Sequence, residues 1–146
     1  MSKIKSAYKI LPKLNLIIEY HNGIVDLDSF INFKIKLSND ALFSPNFNLI
    51  IYLKDVTFAT TEADIKKYVD FLAENKKYQG TRKISVITKT PNQVVSSTLF
   101  KMMHVNPSQS IEIFSTIENA IKWFETNNLT PQKVRTIIRE LKENIL

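Results

Sequence analysis

The chain reads as an α/β domain: a single mixed, mostly parallel five-stranded sheet with an N-terminal antiparallel hairpin, helices packed on it, and an extra C-terminal helix. Three observations predict this. Leu49-Ile50-Ile51-Tyr52-Leu53 is an unbroken apolar run, too short for a helix and rich in β-formers, as strands buried on both faces of a parallel sheet read. Short β-rich runs then alternate with segments of helical periodicity, so right-handed crossovers lay helices on the sheet. Finally, 146 residues at 44% hydrophobic, with nine Phe, five Tyr and one Trp, are one domain's worth and bury a proper core.

Taken in order, Tyr8 to Leu11 is a short strand, Pro12-Lys13 turns it, and Leu14 to Tyr20 returns antiparallel. His21-Asn22-Gly23 reads as a turn, because Asn-Gly supplies positive φ. Asp26 or Asp28 caps a helix to about Leu37, with Leu27, Phe30, Ile31, Lys34 (by its stem), Ile35 and Ser38 on one narrow stripe. Asn39 to Asn46 is a loop whose Leu42 and Phe43 are expected to tuck under the sheet edge. After the central strand the chain turns, and Thr61 caps a helix with Ile65, Tyr68, Val69, Leu72 and Ala73 inward, ended at Gln79-Gly80. Arg82 to Thr88 is the fourth strand. Thr90-Pro91 then opens a helix carrying Val94, Val95, Leu99, Met102 and Met103. Ile111 to Phe114 is the fifth strand, and Ser115-Thr116-Ile117-Glu118 is a capping box before Ala120, Ile121, Trp123 and Phe124. The last helix, Thr130 to Leu146, has the stripe Val134, Ile137, Ile138, Leu141 and Ile145. Residues 1–127 are thus expected to form the α/β domain and 128–146 an added amphipathic helix. That helix is expected to dock on its own domain or pair with a second copy, since Glu140 and Glu143 dilute the basic face a membrane would need.

Composition excludes several chemistries. No cysteine means no disulfide framework and no cysteine-based metal site. Two glycines, Gly23 and Gly80, leave no glycine-rich phosphate loop, which argues against nucleotide hydrolysis and dinucleotide redox chemistry. His21 and His104 lack metal-ligand spacing, and nothing in the sequence asks for a cofactor. The net charge of +6 is spread among interleaved acids rather than gathered in an Arg-rich or aromatic-basic motif, which points away from nucleic acid. The apolar stretches fall short of the ~20 residues of a membrane span, and no signal-peptide core follows Met1 to Lys5, so a cytoplasmic protein is the expectation.

From Tyr8 to about Phe124 the chain resembles the SpoIIAA-like family, a group akin to STAS domains and CRAL-TRIO lipid-binding domains. The resemblance rests on the Tyr8-Lys9-Ile10-Leu11 hairpin, on Gly23 before the first helix, and on Leu53-Lys54-Asp55 ending the central strand. The Ile113-Phe114 strand with its Ala120-Ile121-Lys122-Trp123-Phe124 helix is the other half. It implies a STAS-like fold and a non-enzymatic binding or regulatory role. Anti-sigma-factor antagonists carry Asp-Ser-Ser-Gly after the central strand, with a phosphorylated serine. Here Thr60-Thr61-Glu62-Ala63 stands there, with Glu62 for the usual phosphoacceptor and Ala63 for the glycine, so the phospho-switch is not carried over.

The candidate site lies past Leu53, at the carboxyl ends of the strands, where open α/β sheets meet their ligands. Asp55, Thr57, Thr60 and Thr61 are its candidate partner- or anion-binding residues; the ordinary alternative is that Thr61 merely caps a helix and Asp55 closes a turn. Phe58, Leu99, Phe100 and Met103 are candidates for an apolar pocket, or else plain core. Two functions are therefore expected: recognition of a protein partner or a second copy, and, as the alternative, binding of a lipid or other apolar small molecule between sheet and helices.

Overall fold

The computed structural model describes residues 3–145. Met1 and Ser2, from the N-terminal stretch read for a signal peptide, and Leu146, the expected end of the last helix, lie outside the described residues. In chain order the elements are β1 (Lys5–Leu11), β2 (Leu16–Val25), α1 (Leu27–Ser38), β3 (Asn48–Phe58), α2 (Glu62–Glu74), β4 (Arg82–Ile87), α3 (Pro91–Met103), β5 (Gln109–Phe114), α4 (Ile117–Lys122) and α5 (Pro131–Ile145). They build an α/β fold around one five-stranded sheet ordered β1-β2-β3-β4-β5. The first pair is antiparallel and the others are parallel, as the sequence predicts.

The apolar run of the central strand is buried on both faces. Leu49, Ile51 and Leu53 meet α1 and α3, while Ile50 joins Leu16, Ile18 and Tyr20 of β2 against α4 and α5. Each parallel crossover joins neighbouring strands, and right-handed connections then place α1, α2 and α3 on a single face. The opposite face is covered by α4 over β4 and β5, and by α5 over β1 and β2. Val134, Ile137, Ile138 and Leu141 of α5 are buried in that core, so the last helix docks on its own sheet.

Several local expectations are corrected. His21-Asn22-Gly23 is not a turn: β2 runs through to Val25, with Gly23 at φ 110° inside the strand. The positive φ that Asn-Gly signals is real, but it serves an irregular strand. Likewise β3 does not turn after Leu53 and continues to Phe58. α2 stops at Glu74, where the Asn75 and Gln79 side chains donate to the carbonyls of Phe71 and Leu72, both at 2.7 Å. Gly80 has another job: a Cβ there would lie 2.4 Å from the Pro45 carbonyl oxygen, so only glycine allows the loop to pass. α1 is capped by Asp26, whose Oδ1 accepts from the Ser29 N–H at 2.9 Å, and it buries Phe33, Lys34 and Leu37 while Ile35 is exposed. Leu42 is 56% exposed, and only Phe43 packs inward.

α3 has the opposite facing from the one its apolar residues predict. Gln93, Ser96 and Ser97 are buried, whereas Val95 and Met102 are 59% and 71% exposed. The cause is hydrogen bonding. β4 pairs with β3 only as far as Tyr52, so the rest of β3 has no strand beyond it on that side. Gln93 Nε2 donates to the carbonyls of Lys54 and Val56, at 3.1 and 2.8 Å. Asn92 both accepts from the Phe58 N–H at 2.8 Å and donates to its carbonyl at 3.1 Å. Two side-chain amides thus stand in for the missing strand, which buried backbone groups require.

Candidate functional site

A hollow on the α4–α5 face opens at the end of β3, between the start of α4 and α5. A bulge shapes it. Tyr20 pairs with Tyr52 and Asn22 with Asp55, so His21 alone opposes Leu53 and Lys54. The extra residue resets the alternation and turns Asp55 toward the α5 face, as bulges re-aim side chains. There Asp55 Oδ2 accepts the Tyr20 hydroxyl at 2.5 Å and lies 3.6 Å from Lys142 Nζ. Asn22 donates to the Tyr20 oxygen at 3.1 Å, and Tyr52 stacks on Tyr20 with ring centres 5.8 Å apart. Burial first, and then Asp55, hold the Tyr20 phenol well above its ordinary pKa, so it stays a hydrogen-bond donor.

The groove encloses about 390 Å³ and is walled by Lys54 and Asp55, the start of α4, and Arg135, Ile138, Arg139 and Lys142 of α5. Arg135 pairs with Glu118, whose own backbone N–H and this arginine keep its carboxyl below the usual value. Four cations therefore face two carboxylates, Asp55 and Glu118. Lys142 is engaged with Asp55 and Arg135 with Glu118, which leaves Lys54 and Arg139 without an ion-pair partner among the described residues. A ligand-sized groove with surplus positive charge suits an anionic group.

The other candidates lie elsewhere. Thr57 is exposed near the end of β3, and Thr61 caps α2 in a reciprocal capping box with Asp64, at 3.1 and 2.9 Å. Thr60 is half-buried on the far side of the sheet from Asp55, so the structure does not gather these four residues at one place. On that side, Phe58, Phe100, Thr60 and Ser97 line a cavity of about 70 Å³ beneath α1, α2 and α3. The Thr60 and Ser97 hydroxyl oxygens have no hydrogen-bond partner among the described residues. Leu99 does not line this cavity, and Met103 belongs to a separate hollow beside His104. Ligand pockets run to several hundred Å³.

A buried charged cluster escapes the sequence reading altogether. Glu19, His21 and Lys34 are all buried under α1. Glu19 Oε1 and His21 Nε2 are 2.9 Å apart, and Lys34 pairs with the other carboxylate oxygen. Ser6 Oγ lies 2.7 Å from His21 Nδ1, and the ring is flanked by Phe30 and Phe33, each with centroids 4.9 Å away. Burial alone would raise the Glu19 pKa, but Lys34 and the His21 hydrogen bond outweigh it and hold the carboxyl at about 2. Burial keeps His21 neutral by lowering its pKa. The signal was available: Glu19 and His21 alternate with Tyr20, so a strand continued past Gly23 puts both on the α1 face, opposite the inward Lys34.

Among the described residues no group of three or more His, Asp or Glu side chains is placed to hold a metal ion, and no helix is long and apolar enough to cross a membrane. Compared with family models, curated proteins and solved structures, the chain finds no match.

Proposed function

We propose that the protein is a STAS-like recognition module, non-catalytic at its groove, which binds an acidic segment of a protein partner between β3 and α5. One observation carries this reading: Lys54 and Arg139 stand without ion-pair partners among the described residues, beside a groove of about 390 Å³ with surplus positive charge. The resemblance to the SpoIIAA-like family supports the same class of function. A second copy of the chain is the other arm of the proposal, and light scattering across concentration reads it. The test is fluorescence anisotropy with a fluorescein-labelled Glu-rich decapeptide. The wild type is expected to bind it, and Lys54→Glu/Arg139→Glu to bind at least tenfold more weakly, which corresponds to ~1.4 kcal/mol. Equal binding by the two proteins, or none by the wild type, would contradict the proposal.

The second reading is a lipid or other apolar small molecule held between sheet and helices. It is favoured by Phe58, Phe100 and two hydroxyls without a partner among the described residues sharing one cavity, which must open to admit such a ligand. Native mass spectrometry with lauric acid decides it. A one-to-one complex that Ser97→Leu abolishes supports this reading, and a spectrum of bare protein removes it.

A further inference from the structure

The Ser6–His21–Glu19 arrangement goes beyond a recognition role and lies across the sheet from the groove. We propose that Ser6 is an activated nucleophile that accepts acyl and phosphonyl groups, with His21 as its general base and Glu19 as the residue that positions the base. Ser6 stands directly opposite His21 in the β1–β2 register, and Glu19, two residues before His21, shares its face. The two links, Ser6 Oγ to His21 Nδ1 at 2.7 Å and His21 Nε2 to Glu19 Oε1 at 2.9 Å, have the lengths of working nucleophile–base and base–orienter hydrogen bonds.

Charge and tautomer agree with the roles. Glu19, kept ionised by Lys34, can only accept a hydrogen bond from the ring, so Nε2 carries the hydrogen and the Nδ1 lone pair is left for the Ser6 hydroxyl. Packing against Phe30 and Phe33 stops the ring from turning away. Ser6 itself is half-buried, on the edge strand of the sheet, so a reagent can approach it from the side that no other strand covers among the described residues. A buried base beneath a partly open nucleophile is the arrangement acyl transfer uses.

With an activated ester, Ser6 Oγ bonds to the acyl carbon while its proton passes to His21 Nδ1. The ester C–O bond breaks, and the departing oxygen takes that proton. Water, deprotonated in turn by His21, then adds to acyl-Ser6, releasing the carboxylic acid and restoring the hydroxyl. With an alkyl fluorophosphonate the P–F bond breaks instead, fluoride leaves with the proton, and the phosphonyl group stays on Ser6.

The experiment is intact mass spectrometry of the full chain after exposure to an alkyl fluorophosphonate, followed by peptide mapping. One phosphonyl group per wild-type chain, located on Ser6 and missing from Ser6→Ala, is the expected result. Ser6→Ala changes a half-buried edge residue, and a melting curve matching the wild type's is the check that its fold is intact. No adduct on the wild type, or an adduct that persists on Ser6→Ala, overturns the proposal. For Glu19 the readout is rate: Glu19→Gln is expected to keep the adduct on Ser6 but to form it roughly tenfold or more slowly. An unchanged rate removes Glu19 from the assignment.

Discussion

Glu19 carries a full negative charge in the interior, and its surroundings explain why the fold accepts it. Lys34 supplies the opposite charge and His21 a hydrogen bond, so both carboxylate oxygens are engaged. A pair of this kind is costly to break from one side and cheap to remove whole. Lys34→Met is therefore expected to cost about 3–5 kcal/mol, and Glu19→Leu/Lys34→Met to recover most of the loss; urea denaturation measures both. The same residues fix the response to acid. His21 is held neutral, so the unfolded chain alone gains a proton as pH falls through 6.5, and stability drops there. Glu19, with its pKa lowered from 4.5 to about 2, contributes stability that is complete above pH 4.5 and lost as pH falls toward 2. Melting temperatures at pH 7, 5.5 and 3.5 should descend in that order. Only part of this is legible in the sequence: Lys34 falls on the inward stripe of α1 and Glu19 inside the second strand. Asn22-Gly23 signals a turn, however, and only a strand continued to Val25 gives His21 the same face as Glu19.

At the scale of elements, the helix starts were the easiest features to read and the helix faces the hardest. Thr61 and Thr90 cap α2 and α3 with side-chain oxygens, because capping is a local bond between residues three apart. α4 is a correction, since it starts one residue later than the Ser115–Glu118 box predicts, with Thr116 as its cap accepting from the Asn119 N–H. The facing of α3 is set instead by something distant in sequence, the unpaired backbone of β3. Hydrogen bonds to Lys54 and Val56 outrank the apolar character of Val94, Val95 and Met102, since a buried carbonyl left bare costs about 1–3 kcal/mol. Gln93→Leu accordingly should destabilise the protein by roughly 2–4 kcal/mol although it adds an apolar side chain to a buried position, because it strips two carbonyls at once. An unchanged urea midpoint would show that those bonds contribute nothing. Gly80 shows the same limit of sequence reading: it was legible as a chain break, but the Pro45 carbonyl that requires it lies on another loop.

For the molecule as a whole, the central position of β3 and the mixed sheet were legible from the apolar run and the alternation of elements. The site was legible only in part. Asp55 was singled out and does line the groove, but the basic residues opposite it come from α5, and no local pattern says where a terminal helix will dock. The strand order runs from β1 to β5 without reversal, so no topological switch point opens the crevice. The groove comes instead from a strand that outruns its neighbour, a bulge that turns Asp55, and two helices that part above it. The most direct test of that account is an NMR titration of the isotopically labelled full chain with the Glu-rich decapeptide. The account predicts amide shifts concentrated at Lys54, Asp55, Arg135, Arg139 and Lys142. Shifts confined to the exposed face of α3, or an unperturbed spectrum at saturating peptide, would contradict it.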